Sequence, residues 1–167
     1  MKITQLIVTL LIFNYSSFLW SNELDMTGIW VGENITDQEE RRIYTVRTKD
    51  GYYFSRHEYY QNDVMVRWLH NYGIWGQNEN EFWTDFVVYA SSTSRKTLPL
   101  CNPPRAIYFI SSIERNITTY VAERDGIEYK MEKVSKLPTQ YFSKESELQK
   151  YALKNINAFK RECIKEI

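Results

Sequence analysis

RIYTVRTKDGYYFSRHEYYQNDVMVRWLHNYGIW, residues 42–75, is the stretch that decides the fold. Its long aromatic and β-branched runs are broken only at Lys49-Asp50-Gly51 and at Asn62-Asp63. Such side chains suit a pleated, half-buried surface, and Asp-Gly is a strong hairpin signal because Gly51 tolerates a positive φ at no steric cost. The stretch predicts a three-stranded antiparallel meander, with strands over Arg41–Thr48, Tyr52–Gln61 and Val64–Gly76.

Working outward, Gly28-Ile29-Trp30-Val31-Gly32 begins an earlier strand, and Glu81–Ala90, EFWTDFVVYA, reads as a fifth, apolar on both faces as two-sided burial would require. From Ser91 to Pro104 the chain changes to SSTSRKTLPLCNPP, an excursion expected to lack regular structure. Arg105–Glu114, Ile117–Asp125 and Ile127–Val134 follow, separated by Arg115-Asn116 and Asp125-Gly126. The total is eight strands in sequential antiparallel order. The expected fold is all-β, an eight-stranded up-and-down antiparallel barrel with a C-terminal α-helix, since closure removes the edges an open sheet exposes. A short sandwich is the alternative.

Leu137-Pro138 ends the sheet. Beyond it Ser143 is placed to cap a helix with Glu145 and Glu147 in its first turn, where carboxylates favour the positive end of the dipole. Leu148, Tyr151, Ala152, Ile156, Phe159 and Cys163 recur at spacings of three and four and form one apolar stripe.

The first 21 residues place Lys2 ahead of the apolar run Ile3–Phe13, too short for a membrane span but suited to a secretory signal. Cleavage is expected near Ser21-Asn22, with an uncleaved anchor as the alternative. The domain plan is a signal peptide over 1–21, a barrel over 22–136, and a linker and packed helix over 137–167. Cleavage leaves no stable membrane span and implies a periplasmic or secreted protein. It also leaves 20 basic against 21 acidic side chains, with the signs interspersed. That balance gives no electrostatic basis for nucleic-acid binding.

Two cysteines, Cys101 and Cys163, fall in the exported portion, where disulfides persist. A bridge between them would pin the helix end to the long loop and contribute roughly 3–4 kcal/mol in the chain-entropy account. Two separate free thiols are the other reading.

Chemistry is sparse. Nucleophilic catalysis needs a base near a Ser or Cys, and only His57 and His70 are available, with neither a nucleophile elbow nor H-E-x-x-H. No catalytic residue, metal ligand or cofactor is assigned. On the third strand Arg56 and Glu58 share one face and His57 the other, because neighbours alternate. An inward Arg56 would hold a ligand carboxylate, and an outward Arg56-Glu58 would be a solvent-screened pair. Asn34-Ile-Thr36 and Asn116-Ile-Thr118 match the glycosylation acceptor, relevant only in a eukaryotic secretory setting.

Gly28-x-Trp30 at the first strand, Arg47-Thr48-Lys49-Asp50-Gly51 at a hairpin, Gly73-x-Trp75 later, eight meander strands and a Cys joining the terminal helix to the barrel together resemble the lipocalin/calycin superfamily. More narrowly, the chain resembles small exported bacterial lipocalin-like proteins, over about residues 27–134. The resemblance implies that Trp30 closes one barrel end against a cation near the last strand, where Lys130, Lys133 and Lys136 stand in place of the family's Arg. It also implies a non-enzymatic carrier of a small hydrophobic or amphipathic ligand. Trp30, Phe54, Trp68, Phe82, Phe86 and Phe109 are the expected apolar interior, with Arg56 a candidate contact. The competing expectation is a protein-binding module, an inhibitor or immunity-type protein, using the Ser91–Pro104 loop and the tyrosine-rich surface.

Overall fold

The computed structural model describes residues 25–35, 39–99, 101–137 and 146–164. The expected signal segment and Ser143 cap lie outside these residues. The meander forms as β2 (Glu40–Arg47), β3 (Tyr52–Gln61) and β4 (Val64–Gln77), after β1 (Gly28–Ile35). Next come β5 (Glu81–Ser91), β6 (Arg95–Thr97), β7 (Arg105–Glu114), β8 (Ile117–Ala122) and β9 (Glu128–Val134), then helix α1 (Ser146–Cys163). β1 pairs with both β2 and β9, and β4 with β5, so eight antiparallel strands close into a barrel. Short β6 is not one of the eight. It attaches to β5 through Val88↔Thr97, Tyr89↔Lys96 and Ala90↔Arg95, which corrects the expectation of an irregular Ser91–Pro104 segment.

The turns follow local stereochemistry. Gly51 takes φ +81°, while Asn62 and Asp63 both take positive φ, as a two-residue hairpin turn of matching twist requires. A bulge lies between Tyr72 and Gly73, where a Cβ on Gly73 would stand 1.8 Å from the Asp85 carbonyl oxygen. Only glycine lets β4 and β5 approach there.

Two cores result. The first fills the barrel with Met26, Trp30, Ile43, Tyr53, Trp75, Phe82, Tyr120, Tyr129 and Met131. The second lies outside, where Leu148, Ala152, Ile156 and Phe159 of α1 cover Tyr72, Ile74, Val87, Val88 and Ala90. β5 therefore buries both faces, one on the lumen and one on the helix. Tyr52 Oη donates to Asn157 Oδ1 at 2.7 Å and Lys160 Nζ to the Asp50 carbonyl at 2.8 Å, which ties the β2–β3 turn to the helix. A disulfide joins Cys101 and Cys163 as expected, 62 residues apart in sequence. Among the described residues no helix is long and apolar enough to cross a membrane.

Candidate functional site inside the barrel

Strand alternation sorts side chains into lumen and outer faces. Register partners Trp30↔Thr45, Thr45↔Ser55 and Arg47↔Tyr53 place these positions on the lumen face, together with Ile43, His57 and Tyr59. Trp30, Phe82 and Phe86 of the expected interior are inside: Trp30 and Phe82 belong to the barrel core, and Phe86 packs against it, 5.9 Å from the Tyr53 ring. Phe54 and Trp68 instead belong to the helix-covered outer core, and Phe109 is 45% exposed. The reason is parity, since Phe54 shares its face with Arg56 and Glu58, and Phe109 lies one residue from inward Tyr108.

At one end of the barrel, Trp30 Nε1 donates to the Met26 carbonyl at 3.0 Å, and Lys133, its register partner, holds its ammonium 5.5 Å from the indole. Of the three last-strand lysines, Lys133 is the one that stands beside Trp30. Trp75 Nε1 donates to the Thr48 carbonyl at 2.9 Å, so the Gly73-x-Trp75 strand and the Asp50-Gly51 turn brace each other.

Arg47 lies in the lumen at this end, 2% exposed, with its guanidinium 4.3 Å from the Phe82 ring and 5.9 Å from that of Tyr120. The guanidinium is hydrogen-bonded to the Tyr120 side chain, while its Nε and Nη1 have no partner. Phe82, Tyr108, Tyr120 and Tyr129 form a linked aromatic cluster with centroid separations of 4.7–6.2 Å. Burial raises the hydroxyl pKa of Tyr53 and Tyr108, and pushes Tyr120 up to about 12 although Arg47 pulls the other way. These phenols stay neutral and cannot act as counter-ions to Arg47.

Toward the other end, Arg41 Nε donates to His57 Nδ1 at 3.0 Å and Nη1 to Tyr129 Oη at 3.4 Å. Guanidinium only donates, so the neutral ring carries its proton on Nε2. Burial first, then Arg41 and His70, hold His57 well below its ordinary pKa. Arg67 stacks 3.6 Å over Tyr59 and pairs with Glu39 at 3.1 Å on the rim. Sequence reading passed over Arg41 and Arg47. The signal was available, because both share two-residue parity with Ile43 and Thr45.

Arg56 points outward and so does not line the lumen, yet neither is it one half of a solvent-screened pair. Its Nε donates to Glu58 Oε1 at 2.7 Å, Tyr60 Oη donates to Glu58 Oε2 at 2.8 Å, and Glu58 is fully buried. Arg56 Nη1 donates to His70 Nε2 at 3.0 Å, which leaves His70 Nδ1–H to donate to Tyr72 Oη at 3.1 Å. The void beside this network is about 10 Å³, room for a water at most. A larger outer cavity of about 640 Å³ lies beside the disulfide, where Arg105 forks onto Asp85 at 2.7 and 2.8 Å. Among the described residues, no cluster of three or more His, Cys, Asp or Glu side chains could hold a metal.

A closed eight-stranded antiparallel barrel with a C-terminal helix is consistent with a lipocalin-like fold. No protein-family model, curated protein or solved structure matches the chain.

Proposed function

We propose that the protein is a non-enzymatic, exported, lipocalin-like barrel that binds a small amphipathic ligand in its interior. The observation that carries this reading is the lumen face, where an aromatic wall surrounds the buried guanidinium of Arg47. A wall built only to be filled gains little from such a group, since a buried charge without a counter-ion costs several kcal/mol. Export is supported by the signal-like first 21 residues and the Cys101–Cys163 bridge. Mass spectrometry of the protein purified natively, without detergent, provides the test. A stoichiometric small molecule released on denaturation is the expected result; a ligand-free protein that also fails to bind amphipathic probes would refute the reading.

The protein-binding reading keeps one specific support. Val64, Met65 and Val66, at the start of β4, are 63, 43 and 47% exposed, three consecutive apolar residues on one hairpin. Tyr53 and Tyr59 do not add to that surface, since both are buried in the barrel, whereas half-buried Tyr60 is the register partner of Met65. Pull-down from the envelope fraction with the native chain and with Val64→Ser/Val66→Ser distinguishes the readings. A stoichiometric partner lost in the double variant would favour a binding module.

A further inference from the structure

We propose that the outer cavity beside the Cys101–Cys163 disulfide is a second binding site, separate from the lumen, and that it takes a flat, uncharged aromatic molecule bearing a carbonyl oxygen. The proposal does not depend on the interior-binding reading above.

The cavity is built to keep its shape. It lies between the outer face of the sheet, at Ile74 and Trp83, and the end of α1, at Phe159, with Asn102 and Pro103 of the segment before β7 along its edge. Each wall is fastened. The disulfide bonds that segment to α1, the Phe86 N–H donates to the Pro104 carbonyl at 3.0 Å, and buried Phe159 packs in the same core as Ile74. A volume of about 640 Å³ falls within the range of small-molecule sites, roughly 300–1,000 Å³.

Arg105 supplies a flat surface in this cavity. Its Nε and Nη2 both donate to Asp85, at 2.7 and 2.8 Å, and two such bonds fix the plane of a guanidinium. One face of that plane lies over the Trp83 ring, 4.3 Å from its centre. The side chain is nonetheless 52% exposed, which leaves the opposite face open. An aromatic ring laid on that face completes a sandwich of ring, guanidinium and ring, a stacking that suits arginine and not lysine.

Charge selects among flat molecules. Asp85 is buried and gives both carboxylate oxygens to Arg105, so it offers no place to a ligand cation. Its negative charge also offsets that of Arg105 and weakens the attraction for an anion. What remains is a donor, since Arg105 Nη1 has no partner among the described residues. A carbonyl oxygen on an otherwise apolar ring matches that donor and the Ile74, Phe159 and Pro103 walls together.

Coumarin, naphthalene and octahydrocoumarin separate the two requirements. Naphthalene keeps the flat rings without the carbonyl, and octahydrocoumarin keeps the carbonyl without the flat rings. Each is titrated at equal concentrations into the full chain, isotope-labelled at the indole nitrogens and the Ile and Met methyl groups, and followed by NMR. Coumarin is expected to move the Trp83 indole and Ile74 methyl signals while Met26 and Met131 stay in place. It should bind at least about fivefold tighter than either analogue, the worth of one hydrogen bond or one stacked cation. In Arg105→Lys, which keeps the charge beside Asp85 and loses the plane, that margin falls to within about twofold. Equal binding of the three probes, an undiminished margin in Arg105→Lys, or no movement at Trp83 and Ile74 overturns the proposal. Movement at Met26 and Met131 instead puts the probe in the lumen, which overturns this proposal and leaves interior binding intact. Should Arg105→Lys fail to fold, the comparison of probes on the native chain still decides.

Discussion

At the scale of the residue, the barrel buries two opposite charges in opposite ways. Glu58 on the outer face is fully buried and met by Arg56 and Tyr60, whereas Arg47 on the lumen face has donors without acceptors. Removing one partner of a buried pair strands the other, so Arg56→Met should cost about 3–5 kcal/mol, read from the urea midpoint. A loss below about 1 kcal/mol would mean that Glu58 is solvated. His57 supplies a pH test. Its folded pKa lies below its unfolded value near 6.5, so below that pH the unfolded chain binds more protons. Stability should therefore be full above about pH 6.5 and fall as pH drops through the window toward the folded value, by up to ~1.4 kcal/mol per unit. His57→Asn should flatten that slope. Much of this was legible as alternation, which places Arg56 and His57 on opposite faces. Which face is the lumen depended on register across the barrel, and Arg47 escaped notice because its motif drew attention to the turn rather than to the side chain.

At the scale of the element, eight strands and a helix could be read from turn residues and periodicity, and β6 could not. Three residues give too short a pattern, and Arg95–Thr97 is a strand only because β5 offers it partners. Bulges are equally hidden, though Gly73 marks one. Gly73→Ala should cost about 3 kcal/mol, because its methyl group meets β5 backbone that cannot move without opening the ladder. Thermal unfolding measures it, and a shift within error would contradict the close approach. The helix depends on a covalent tie as well as its stripe. Replacing both Cys101 and Cys163 with Ser should lower stability by about 4 kcal/mol, given the 62-residue separation, and reductant should have no further effect on that variant.

At the scale of the whole molecule, closure converts local alternation into an inside and an outside. The sequence favours a barrel over a sandwich, and the pairing of β1 with β9 and of β4 with β5 closes it. Closure also explains the mixed outcome for the interior. Phe54 and Trp68 are as apolar as Trp30 and Phe82, but they face α1, a second apolar surface that composition does not distinguish from the first. The central claim is that a small amphipathic molecule occupies the lumen rather than the outer cavity or the exposed hairpin. Methionine methyl groups report on it directly, since Met26 and Met131 are buried in the barrel and Met65 is exposed on β4. In methyl-labelled protein titrated with dodecanoate and followed by NMR, the account predicts that Met26 and Met131 shift together and saturate while Met65 stays in place. Shifts at Met65 with Met26 and Met131 unmoved would contradict it.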